Sequence, residues 1–132
     1  MKIIIISSPH FFLNENLIFI DLLENGATYI HIRKPESNIS DIRALLKSIP
    51  LHYHPKIKLH YYFELLKEFP LIGFHHSSRT TFNSKLQVKQ SKSFHSFEEI
   101  EQNNYPYDYH FLSPIFPSIS KKGYQPIYTT DE

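Results

Sequence analysis

Apolar residues fall in short runs, and the stretches between them carry helical periodicity. The β-branched run Ile3 to Ile6 predicts a buried strand over Lys2–Ser7. Pro9 and the Asn14–Glu15 pair mark a loop and a helix start. Leu17 to Glu24 is predicted helical, with Gly26 just past its end, where left-handed backbone favours glycine. Thr28–Arg33 reads as the next strand, since Tyr29, Ile30 and Ile32 suit a pleated surface. Ser37 or Ser40 is the expected cap of a second helix. In it Ile42, Leu45, Leu46 and Ile49 recur on one face, and Pro50 stops it. Lys56–His60 is predicted as a short strand, Tyr62 to Glu68 as a short helix, and Leu71–His75 as a fourth strand. A polar stretch from Ser77 to Lys85 precedes a fifth strand within Gln87–Phe94. Ser96 and Glu99 form a capping box that opens a helix running to Asn103, and Tyr107–Leu112 reads as a sixth strand. A long loop from Ser113 to Tyr128 follows.

Strand and helix alternating at this rhythm predict an α/β chain with parallel strands joined by crossovers. An open doubly wound sheet and an eight-stranded barrel both satisfy that pattern. No glycine-rich turn follows the first strand, so the dinucleotide-binding fingerprint is absent. Thr129, Thr130, Asp131 and Glu132 read as a helix start without its helix. The expectation is therefore a single domain over residues 1–132 whose (β/α) pattern is truncated after about six strands.

Composition narrows the function classes. The chain has 132 residues, 41% of them hydrophobic and 20% charged, which fits one globular domain. A net charge of +1 gives no reason to expect a nucleic-acid partner. The absence of cysteine excludes disulfides, thiolate zinc sites and thiol nucleophiles. The longest apolar runs are too short for a signal peptide or a membrane span, so a soluble, cytoplasmic protein is expected.

In a (β/α) barrel, functional groups sit at the C-terminal ends of strands. On the predicted elements these are His31, Arg33 and Lys34, then His60, then His75 and His76, then His95. Beyond the sixth strand come Ser113, Ser118, Ser120, Lys121 and Lys122. Cations, imidazoles and hydroxyls dominate over carboxylates, which suits a phosphorylated small molecule. Each residue also has a plainer reading. Arg33 and Lys34 could form a solvated rim or an ion pair, and His52 and His54 read as a solvated loop. His60, His75 and His95 could converge on a metal, but ligand spacing within one element is missing, so no metal ligand is assigned. His95 precedes the Ser96 cap and suits either a proton carrier or a structural role.

One segment is specific enough to carry a resemblance. DYHFLSPIFPSISKKG, from Asp108 to Gly123, resembles the D-Y-x-x-x-G-P-[IV]-F-x-T-x-T-K-x-G signature of thiamine phosphate synthases and the related thiazole tautomerases. Gly26 to Lys34 resembles that family's G-x-x-x-[IV]-Q-L-R-x-K strand. Leu71 to His76 resembles its G-[IV]-H-L strand, and Ser93 to Glu99 its S-x-H-S-x-E-E segment. The resemblance covers essentially the whole chain in register, and it selects the TIM (β/α)8 barrel.

The resemblance implies a transferase of thiamine biosynthesis. Such an enzyme couples hydroxymethylpyrimidine diphosphate to thiazole phosphate and releases diphosphate, with Mg2+ assisting the leaving group. His31, Arg33, Lys34, His60 and His75, as strand-end residues, are the candidates to line the substrate site, and the resemblance implies that Arg33 and Lys34 face the diphosphate. Ser118, Ser120 and Lys121 would bind the thiazole phosphate, with Lys121 among the catalytic groups. His95 falls where the tautomerases use a histidine for proton transfer. The family glutamine is His31 here, and its lysine position is Pro35. Tyr61 and Tyr62 replace its Asn-Asp pair, and His76-Ser-Ser-Arg79 carries no carboxylate, so the Mg2+ ligands have no counterpart. A thiazole tautomerase-like isomerase and a non-catalytic phosphate-binding module are the alternatives. A homodimer is compatible with the sequence, and neither nucleic acid nor membrane is an expected partner.

Overall fold

The structure, a computed structural model, describes residues 1–114. These fall into two compact units, one of residues 1–75 with 85–89, the other of residues 76–84 with those from 90 onward.

In the first unit β1 (Ile4–Ile6), β2 (Tyr29–Ile32), β3 (Ile57–Leu59) and the start of β4 (Gly73–His76) lie side by side in sequence order, all parallel. Helix α1 (Glu15–Glu24) joins β1 to β2, and α2 (Ile39–Lys47) with a 3-10 turn over Leu51–Lys56 joins β2 to β3. A second 3-10 turn, Phe63–Lys67, leads toward β4. These are the parallel strands and helical crossovers that the pattern predicted, in the TIM-type α/β fold class that the family resemblance selected.

The strand sequences alternate, and the alternation divides the sheet into two faces. Ile5, Ile30, Ile32, Ile57, Leu59 and Phe74 point to one side, where they pack with Phe19 and Leu23 of α1 and Ile42, Leu45 and Leu46 of α2. Ile30, Leu46, Ile57, Leu65 and Ile72 are 0% exposed, and burying each such side chain contributes about 1.5–3 kcal/mol. The opposite face carries Tyr29, His31, Lys58, His60, Gly73 and His75.

Local chemistry explains the ends of elements. Gly26, at φ 113°, takes the left-handed position beyond α1, and the Ala27 amide donates to the Leu22 carbonyl at 2.9 Å. Helix α2 is capped by Asn38 rather than by Ser37 or Ser40. Asn38 Oδ1 accepts from the Asp41 amide at 2.9 Å, while the Ser37 hydroxyl is committed to the Lys34 carbonyl at 2.6 Å. Ser40 already lies inside the first turn. The predicted Tyr62–Glu68 helix is 3-10, entered through Tyr62 at φ 59°, and the Tyr62 hydroxyl donates to the Ser37 carbonyl. His52 is exposed as expected. His54 is not, because it turns inward and its Nε2 bonds the Ile49 carbonyl at 2.9 Å.

The second unit holds β5 (Gln90–Phe94) and β6 (His110–Leu112), paired in parallel, with α3 (Phe97–Glu101) between them. Ser96 Oγ accepts from the Glu99 amide at 3.1 Å, as the capping box predicted, and Glu99 Oε2 accepts from the His95 amide at 3.1 Å. The Gln90 side chain bridges His76 Nε2 and both backbone groups of Asn83, fixing the polar stretch before β5. Among the described residues no helix is long and apolar enough to cross a membrane.

Candidate functional site

The polar face of the first unit gathers at the C-terminal ends of β2, β3 and β4. His31 pairs in register with Lys58, and Lys58 with Gly73. Two residues further along the same face come Arg33, His60 and His75. The pairing extends past the strands, since the His60 amide donates to the Ile32 carbonyl at 3.2 Å. Parallel register thus brings three imidazoles from three adjacent strands together.

Their geometry is tight. His31 Nδ1 and His60 Nε2 share a hydrogen bond at 2.7 Å. Ring centroids lie 5.0 Å apart for His31 and His60, 4.9 Å for His31 and His75, and 4.5 Å for the stacked His60 and His75. One nitrogen from each ring lies within 4.8 Å of those of the other two. His31 and His75 are buried and His60 is half-buried. Burial, the His60 ring and the nearby Lys58 push the His31 pKa down to about 2. Burial and the Arg33 guanidinium push that of His60 down to about 3. Both rings are therefore neutral at physiological pH, and each offers one N–H donor and one nitrogen lone pair.

Lys58 was not singled out in the sequence, yet it is a fully buried member of this face. Its stem crosses the bare Cα of Gly73, where a Cβ would lie 3.2 Å from Lys58 Cγ and 2.6 Å from the Lys89 carbonyl oxygen. Its ammonium sits 4.9 Å from the centre of the Tyr29 ring. The signal was present: Lys58 stands two positions before His60, between Ile57 and Leu59, in phase with the inward-facing set.

The two cations that end β2 behave differently. Arg33 is half-buried on the imidazole face, and its amide donates to Ser7 Oγ at 2.9 Å. Lys34 points to the other side and is 1% exposed. Its Nζ donates to Glu15 Oε2 at 2.8 Å and to the carbonyls of Ser8 and His10, both at 2.9 Å. The Phe11 ring packs 4.5 Å from the same nitrogen. An ammonium has three hydrogens, and these oxygens take all of them, so Lys34 ties the segment after β1 to the start of α1.

The remaining candidates belong to the second unit or fall outside the described residues. His95, in the second unit, has Nδ1 at 2.9 Å from the Ser113 carbonyl. A carbonyl only accepts, so Nδ1 carries the proton and Nε2 is the basic nitrogen. Ser118, Ser120 and Lys121 lie outside the described residues. His76 belongs to the second unit through Gln90 and Thr80, and burial lowers its pKa.

The Mg2+ implied by the family resemblance does not fit this donor set. Mg2+ takes hard oxygen ligands in octahedral geometry. The first two residues after each of the six strands include no Asp or Glu. Glu15, the carboxylate buried nearest in sequence, is held by Lys34. Imidazole nitrogens stand at the ends of β2, β3 and β4.

No protein-family model matches the chain, and no curated protein does. Among solved structures, the chain is similar to the thiamine phosphate pyrophosphorylase of Bacteroides thetaiotaomicron. The two are 38% identical with a TM-score of 0.78, over 88% of this chain. This chain spans 59% of the length of that protein. The resemblance read from the sequence motifs and the fold match agree in pointing to a likeness to thiamine phosphate synthases.

Proposed function

We propose that the protein serves thiamine phosphate formation. In that reaction the methylene carbon of hydroxymethylpyrimidine diphosphate loses its bond to the diphosphate oxygen and gains one to the thiazole nitrogen of thiazole phosphate. The observation that carries this reading is the match to a thiamine phosphate pyrophosphorylase at 38% identity. The imidazole face supports it. Arg33 supplies a forked cation for a phosphate group, and the neutral His31–His60 pair, which uses one N–H on its mutual hydrogen bond, lies beside it. Donors fixed before the substrate arrives stabilise a departing anion without reorganising. Ser118, Ser120 and Lys121 are proposed to hold the thiazole phosphate.

The test incubates the chain with both phosphorylated substrates and quantifies thiamine phosphate and diphosphate. Equal amounts of the two products are expected, with kcat/KM reduced roughly 100-fold by Arg33→Gln. Absence of both products, or an Arg33→Gln protein as active as the wild type, would overturn the reading.

A thiazole tautomerase-like isomerase is the second reading, favoured by His95. Its Nδ1–H is fixed on the Ser113 carbonyl, which orients a basic Nε2 for proton transfer. On this reading His95→Gln abolishes isomerisation of a thiazole phosphate, and no diphosphate is released. Diphosphate release by the wild type removes it.

A further inference from the structure

We propose that His31, His60 and His75 form a binding site for one nitrogen-preferring divalent metal ion, such as Zn2+ or Co2+, with an open fourth position. The proposal stands on the cluster and does not require the synthase reading.

The geometry points to it in three ways. First, the ligands come from three adjacent parallel strands locked in register, so their backbone positions are fixed by the sheet. Second, one nitrogen from each ring already lies within 4.8 Å of the other two. Tetrahedral zinc with Zn–N bonds of about 2.0–2.1 Å places ligand nitrogens about 3.3 Å apart. His31 Nδ1 and His60 Nε2, now 2.7 Å apart in a hydrogen bond, need to open slightly. The His75 nitrogen, within 4.8 Å of the other two, needs to close by at most about 1.5 Å. Third, three imidazoles with no carboxylate make a donor set that favours zinc, cobalt, nickel or copper over magnesium or calcium.

The charges around the cluster define the fourth ligand. Lys58 lies beside His31, and Arg33 lies beside His60. No carboxylate from the first unit is within the set. Two cations disfavour a bare divalent ion and favour one that carries an anion. The open position is therefore assigned to an anionic oxygen ligand, either hydroxide or a phosphate oxygen. Half-buried His60 gives the ion its way in.

The test uses the full chain, stripped with chelator and titrated with Co2+ alone. One Co2+ per chain is expected, with the intense visible absorption of a tetrahedral site, and Zn2+ displaces it. Excess Mg2+ does not. His31→Gln, His60→Gln and His75→Gln each weaken binding on the order of 100-fold or more, whereas exposed His52→Gln leaves it unchanged. X-ray absorption of the wild-type Zn2+ complex reports the ligand set without any substitution, so a variant that fails to fold leaves the question answerable. Three imidazole nitrogens at about 2.0 Å with one oxygen are expected. Adding inorganic phosphate to the Co2+ protein shifts its spectrum if phosphate takes the fourth position, and leaves the hydroxide form if it does not. Six-coordinate Co2+, fewer than three imidazoles, or affinity lost with His52→Gln instead would overturn the proposal.

Discussion

Breaking the Lys34–Glu15 pair should be among the most damaging polar substitutions in the chain. The side chains are 0% and 2% exposed and meet at 2.8 Å. Removing one partner strands a buried charge, which typically costs about 3–5 kcal/mol. Glu15→Leu leaves the ammonium with the Ser8 and His10 carbonyls and no anion, so a loss of about 3 kcal/mol is expected. Lys34→Met strands the Glu15 carboxylate, whose Oε1 already lacks a hydrogen-bond partner, and should cost about 4 kcal/mol. The pair Lys34→Met with Glu15→Leu strands no charge. It leaves two carbonyls without their donor, at about 1 kcal/mol each, and gains apolar packing against Phe11. The double variant should therefore lie within about 2 kcal/mol of the wild type, far from the roughly 7 kcal/mol that additive losses would give. Urea unfolding of the four proteins at one pH measures this cycle. Single losses below about 1 kcal/mol, or an additive double variant, would show that Lys34 is not the buried anchor described here.

Three further outcomes are expected. Gly73→Ala forces a Cβ to 2.6 Å from the Lys89 carbonyl oxygen and against the Lys58 stem, so it should lower stability by about 1–3 kcal/mol by urea titration. Asn38→Ala should cost about 1 kcal/mol as the true cap of α2, while Ser40→Ala changes little; equal losses would contradict the cap assignment. His31 and His60 have folded pKa values of about 2 and about 3, below the ordinary histidine value. The unfolded chain therefore binds more protons below about pH 6.5, and stability falls as the pH drops. In chelator, moving from about pH 7 to about pH 5 should cost about 2 kcal/mol per ring. The double variant His31→Gln with His60→Gln should lose that pH dependence, and a profile as steep as the wild type's would contradict neutral, buried rings.

Strand positions and the order of elements were legible because β-branched runs and helical periodicity are local signals. The capping box at Ser96 and the glycine beyond α1 were legible for the same reason. The cap of α2 was not legible because Ser37, Asn38 and Ser40 are all competent; the Ser37–Lys34 bond and the place of Ser40 inside the first turn leave Asn38. His31, His60 and His75 were each visible as strand-end histidines. That His31 joins His60 and His75 depends on register between strands, which periodicity does not encode. The fate of Lys34 was hidden because its partner, Glu15, lies on the preceding helix and the Ser8 and His10 carbonyls on a loop. Lys58 could have been found from alternation alone.

The central claim is that the imidazole face of the first unit receives the phosphorylated substrate. Nitrogen-15 NMR of histidine-labelled protein, titrated with hydroxymethylpyrimidine diphosphate, tests it directly. Ring-nitrogen signals of His31, His60 and His75 should move together along one saturating isotherm, with His10 and His52 unchanged. Saturable binding that leaves those three rings unmoved, or no binding at all, would contradict it.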